Sequence, residues 1–189
     1  MDPTGNTVAL RMIIIVILLA LSAYFSSAET ALTMVNKIRM RTLADDGNKA
    51  AACVLKLHEN KGKMLSAILI GNNVVNLSTS SIMTILAADI FGNAAVGIAT
   101  GVLTILILIF GEITPKNYAT INSEKITLRY IPVISFLMTV MTPVIYVINL
   151  VARGVMFLMR VDPNAINNSM TEEELRTIVD VSHENGLES

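Results

Sequence analysis

LILIFGEITPKNY, residues 106–118, is an apolar run that ends abruptly in Gly111, Glu112 and Pro115. It stands in a long uncharged setting. From Met64 to Gly111 the only charge is Asp89, and from Met12 to Asn36 the only charge is Glu29. A membrane crossing needs about 20 mostly apolar residues, and these stretches supply them. A carboxylate at the end of such a run is costly, and a proline there removes a helix hydrogen bond. Both call for compensation nearby.

Working outward, the chain of 189 residues is 53% hydrophobic and only 15% charged, against about 25% charged in ordinary soluble domains. It is too small to bury two apolar helices of that length inside a soluble domain. The composition implies an all-α integral membrane protein. Three spans are expected, at about 8–35, 64–88 and 94–110. The first is too long for the core of a signal peptide, and Arg11 is its only basic residue. Between the first two spans, residues 36–63 hold seven of the fourteen basic residues and read as an amphipathic helix pair broken at Asp45-Asp46-Gly47. Their charge places them on the cytoplasmic side. The turn DIFGN carries no lysine or arginine and faces out. With three crossings the N-terminus is outside and the C-terminus inside.

Residues 130–161 are apolar but interrupted by Pro132, Pro143, Asn149 and Arg153. They read as two helices at the cytoplasmic membrane surface, with a fourth crossing as the alternative. The domain core is thus expected over 1–129, juxtamembrane helices over 130–161, and over 162–189 a polar connector opened by the capping pattern Thr171–Glu174. The chain stops after this segment as a piece ending at a domain boundary would.

The polar residues within the spans carry the chemistry. Ser22, Ser26 and Glu29 share one face of the first helix. Asn72 and Asn76 share a face of the second, and Asn73 lies one step around. Unpaired amides are costly in lipid, though interhelical hydrogen bonds alone would also account for them. Pro115 has no N–H, so the carbonyl of Gly111 is freed, and Gly111 lets its backbone approach a ligand closely. Glu112 adds a carboxylate beside it, or else pairs with Lys116 one turn on. Irregular backbone of this kind is tolerated in membranes where it lines a cavity. The donors are all oxygens, which suits hard cations such as Mg²⁺ and argues against zinc or copper. The two histidines and the single cysteine, Cys53, lie outside the spans. Gly97 and Gly101 form a spacing that permits close helix packing. No basic patch with aromatics points to nucleic acid. No HExxH, paired aspartates or serine–histidine pair within the spans points to an enzyme.

SAYFSSAETAL, ILIGNNVVN and FGEITPK resemble three signatures of the DUF21 transmembrane domain of the CorC and CNNM (cyclin M) magnesium transporters. The resemblance covers the whole chain. It implies a homodimer in the plasma membrane with three spans per subunit, exporting Mg²⁺ in exchange for Na⁺. It further implies a dehydrated cation held near mid-membrane by Ser22, Ser26, Asn72 or Asn76, Gly111 and Glu112. In full-length relatives a cytosolic pair of CBS modules binding ATP-Mg²⁺ would follow. Two alternatives stand beside this reading: a non-transporting anchor or Mg²⁺-sensing scaffold, and a carrier of another divalent cation such as Co²⁺.

Overall fold

The computed structural model describes residues 3–92 and 96–159, and it is all helix among them. Helix α1 spans Pro3–Met34, α2 Lys37–Asp45, α3 Lys49–Glu59 and α4 Lys61–Phe91. Then follow α5 (Val96–Leu106), a π-helical stretch (Ile107–Ile113), α6 (Thr114–Ile121), α7 (Ser123–Val140) and α8 (Thr142–Leu158). The start of the third expected span at 94–95, and the polar segment 162–189 with its Thr171–Glu174 pattern, lie outside the described residues.

Among the described residues three stretches are long and apolar enough to cross a membrane, Thr7–Met34, Lys61–Phe91 and Val96–Ile121, or four if the bent pair Ser123–Val140 and Thr142–Leu158 is one span. The first half of α1 is exposed at Leu10, Ile13, Val16 and Ile17, as a lipid-facing surface should be. Its second half turns small and is buried at Ser22, Ser26, Ser27, Ala28 and Ala31. Apolar contact between helices gains little in lipid, so association relies on close packing of small residues and on interhelical hydrogen bonds. Gly71 shows the first device. A Cβ on it would lie 2.9 Å from the ring of Phe25, so α4 approaches α1 only because that side chain is absent. At the far end, Arg11 of α1 and Asp89 of α4 form an ion pair, which gives the lone acid of the second span a partner.

The third span does not stop at residue 110. It continues through the π-helical stretch into α6 as one 26-residue helix. The interruption written into GEITP is therefore a widening of the helix. The Thr114 N–H bonds the Ile109 carbonyl, five residues back. With the ladder shifted in this way, Pro115 falls in the first turn of α6, where a missing N–H costs least.

The helix pair over 36–63 forms as its turn chemistry requires. Gly47 takes a φ of +90° between α2 and α3, and the Asn48 side chain caps α3 by accepting from the N–H groups of Ala50 and Ala51. Met40, Val54 and Leu57 of this pair pack with Leu32, Met64, Ile68, Ile131 and Ile134 in a core at one end of the spans. α7 contributes to that core and runs unbroken through Pro132, so residue 130 falls inside a helix. One lost backbone bond does not stop it, because its buried face at Ile126, Ile131 and Ile134 is held on both sides of the proline. The chain divides at Thr142–Pro143 into two units, with α8 in the second.

Candidate functional site

Two helices and the π-helical stretch meet at the polar residues. Buried positions of α4 recur at Met64, Ile68, Gly71, Asn72, Val75 and Thr79, a helical stripe turned toward α1. On α1, Ser22 and Ser26 are buried one turn apart. They face the backbone carbonyls of the π-helical stretch at Gly111 and Glu112.

The tightest contact is Ser22 Oγ donating to Asn76 Oδ1 at 2.6 Å. The same hydroxyl lies 3.5 Å from the Gly111 carbonyl oxygen. Asn76 Nδ2 in turn donates to Glu112 Oε1 at 3.2 Å. Ser26 Oγ reaches the Glu112 carbonyl at 3.4 Å. Ser22, Ser26, Asn76, Gly111 and Glu112 thus converge on one locus linked by hydrogen bonds. Gly111 is required there. A Cβ on it would lie 2.9 Å from Ser22 Oγ, so a larger residue would displace either the Ser22 side chain or α1 from the carbonyl.

Asn72 lies one turn along α4 from Asn76. It is 8% exposed, and its Oδ1 is buried with no hydrogen-bond partner. An orphaned acceptor in a buried place costs about 1–3 kcal/mol, which a cation or a donating water would relieve. Asn73 is exposed and points elsewhere. Of the three asparagines, Asn76 is in the network, Asn72 beside it is unsatisfied, and Asn73 takes no part.

Lys116 does not pair with Glu112. Its Nζ lies 3.4 Å from Glu29 Oε2, so the alternative ion pair one turn apart is not formed. Across the helix packing, Lys116 reaches α1 while Glu112 reaches α4. Glu29, which sequence left without a role, is the lysine's partner, and Glu112 is left to Asn76. Ser27 was missed from sequence as well. It bonds its own Ala23 carbonyl at 2.7 Å and lies 3.4 Å from the Pro115 carbonyl. Its position beside Ser26 in SAYFSSAE was the available signal. Among the described residues nothing closely approaches Gly97 or Gly101, since a Cβ on either would meet no atom within 4 Å.

Among the described residues no group of three or more histidines, cysteines or carboxylates could hold a metal. The oxygens that could are hydroxyls, amides and a carbonyl, with Glu112 supplying the charge. Such a set fits a hard cation and offers nothing to a soft one. A groove of about 590 Å³ lies elsewhere, between α1, α4 and α5, lined by Ile15, Leu86, Ile90, Val102 and other apolar residues. It has no polar wall for stripping a hydrated ion, so the polar locus is the candidate site.

Comparison with known proteins gives the family of the chain. Residues 13–189 match the family described as the cyclin M transmembrane N-terminal domain. A UPF0053 protein of Haemophilus influenzae is 40% identical over 167 residues, covering 88% of this chain and 40% of that protein. The UPF0053 inner membrane protein YfjD of Escherichia coli is 38% identical over 160 residues, covering 84% of this chain and 37% of the relative. A polyamine export protein of Salmonella typhimurium is 27% identical over 189 residues, covering 88% of this chain and 40% of its own length. The chain thus spans about two fifths of these relatives.

Proposed function

Since the chain belongs to the cyclin M transmembrane N-terminal domain family, we propose that it is the membrane part of a Mg²⁺ exporter, passing the ion through the Ser22–Asn76–Gly111–Glu112 locus. The observation that carries this reading is the convergence of hydroxyl, amide, backbone and carboxylate oxygens on one buried point, beside the unsatisfied Oδ1 of Asn72. Mg²⁺ gives up its water reluctantly and demands near-octahedral oxygen. Ser22, Ser26, Asn72, Asn76, the Gly111 carbonyl and the Glu112 carboxylate are oxygens of the required kind. The π-helical stretch is the irregular element at this locus, as π-bulges frequently are at functional sites.

In this reading Na⁺ entry drives export, the basic segment 36–63 faces the cytoplasm, and the N-terminus is outside. The working unit is a homodimer, with the open face at Gly97 and Gly101 available to the second copy. Nucleotide control would come from parts of the whole protein beyond this chain.

The test is isothermal titration of the purified chain with Mg²⁺, beside Glu112→Gln, with and without Na⁺. The expected result is binding that Glu112→Gln weakens by at least about tenfold, equivalent to about 1.4 kcal/mol, and that Na⁺ reduces. Unchanged affinity in the variant removes Glu112 from the site. No binding in either protein favours the anchor or scaffold, and liposome flux then decides. A second reading follows from relatives named polyamine export protein. The same acceptors could receive ammonium N–H groups, and titration with spermidine in place of Mg²⁺ separates the two cargoes.

A further inference from the structure

Residues 36–63 carry Lys37, Arg39, Arg41, Lys49, Lys56, Lys61 and Lys63 against Asp45, Asp46 and Glu59. Among the described residues only Arg39 of these cations has an ion-pair partner, Glu124 at 3.4 Å. The others end in no carboxylate. Their placement is restricted by short tethers. Met34 ends α1 and Lys37 begins α2; Glu59 ends α3 and Lys61 begins α4. A helix of this length measures about 14–17 Å. The α2–α3 pair is therefore held within one helix length of two span ends, beside a headgroup layer about 5–8 Å thick on each face.

The outward face of α2 also carries an apolar residue. Met40 is fully buried in the core. Ile38, two positions earlier and nearly opposite around the helix, is 79% exposed. Exposed Lys37 and Arg41 flank it. An apolar side chain between cations, on a helix tied to a span end, matches an interfacial surface.

We propose that this face of α2 docks on the anionic headgroup layer of the membrane that α1 and α4 cross. Ile38 enters the boundary between headgroups and acyl chains, and Lys37 and Arg41 contact lipid phosphates. α2 follows α1 after two residues, so the lipid surface that holds α2 also helps to fix the helix that carries Ser22 and Ser26.

The chain contains no tryptophan, so Ile38→Trp introduces a single indole at the point of contact. The full chain carrying it is placed in nanodiscs of neutral lipid, or with about 30 mol % anionic phosphatidylglycerol, each with and without brominated acyl chains. The expected result is quenching by brominated lipid that rises about twofold or more with the anionic fraction. That rise should be lost in about 1 M salt, where the screening length falls to about 3 Å, and lost also when Lys37→Gln and Arg41→Gln are added. A water-like emission that no lipid quenches overturns the proposal and leaves the face to a soluble partner. Quenching independent of anionic lipid overturns it too, because Ile38 would then insert without charge contact. Should Ile38→Trp fail to fold, Thr42→Trp on the same exposed face reads the same contact. Neither outcome depends on which ion the chain carries.

Discussion

Gly111→Ala is the smallest change that reaches the heart of the proposed site. The new Cβ would lie 2.9 Å from Ser22 Oγ and 3.4 Å from both Ser22 Cβ and Leu19 Cδ1. The leucine tip can rotate away, but the serine cannot do so freely, because its hydroxyl is tied to Asn76 at 2.6 Å. If Ser22 rotates, it abandons Asn76 Oδ1 and leaves a part-buried acceptor unpaired, at a cost of about 1–3 kcal/mol. If it stays, α1 must move off the third span, an overpacking strain of again about 1–3 kcal/mol. Either route destabilises the chain by a similar amount. Either also pulls Ser22 from the Gly111 carbonyl, so Mg²⁺ affinity should fall by about 10- to 100-fold at 1.4 kcal/mol per decade. The control is Gly62→Ala in the first turn of α4, where a Cβ meets nothing within 4 Å. Thermal unfolding in detergent and Mg²⁺ titration are run on both variants. If Gly111→Ala matches Gly62→Ala in melting temperature and in affinity, the close approach of Ser22 to residue 111 does not matter, and the argument for the site fails with it.

Asn72→Leu should leave the melting temperature unchanged or raise it, since it replaces an unsatisfied buried acceptor by an apolar group of similar size, yet lower Mg²⁺ affinity about tenfold; a drop in stability with unchanged affinity would make Asn72 a packing residue. Lys116→Met should cost less than about 1 kcal/mol, because its pair with Glu29 is partly exposed and screened by solvent, and Mg²⁺ titration should be nearly unaffected; a large loss of affinity would return Lys116 to Glu112. His58 is held below the usual histidine range by burial first, then by the charges of Lys37 and Lys61, against a raising backbone contact at Leu32. Its charged form is thus disfavoured in the fold. The stability that this burial supports is complete above a pH of about 6.5 and is lost as pH falls toward the lowered folded value. Melting curves between about pH 7 and 5 should show this decline, and His58→Phe should flatten it; an equal decline in the variant would place the titration elsewhere.

Much of this was legible in the chain. The lengths of uncharged sequence fix the crossings, because lipid accepts only helices of sufficient length with satisfied backbone. The same sparseness made the few polar residues stand out, so Ser22, Ser26, Asn76, Gly111 and Glu112 could be named before their meeting was seen. The break between α2 and α3 was equally readable at Asp45-Asp46-Gly47, since glycine, lacking a side chain, takes the positive φ that the turn needs. The tertiary structure decided whatever depends on rotation about a helix or on partners distant in the chain. That Pro115 widens the third span instead of ending it depends on a shift of backbone register that composition does not encode. That Lys116 turns to Glu29 depends on the packing of α6 against α1. That Asn72 is orphaned while Asn73 is exposed depends on which face α4 gives to α1, and Gly71 against Phe25 fixes that face. Arg11 and Asp89 are 78 residues apart in the chain, and only the antiparallel packing of α1 and α4 brings them together. Local sequence sets which helices form, because their hydrogen bonds are local; where their polar groups point is settled by packing, because it rests on contacts between segments remote from one another.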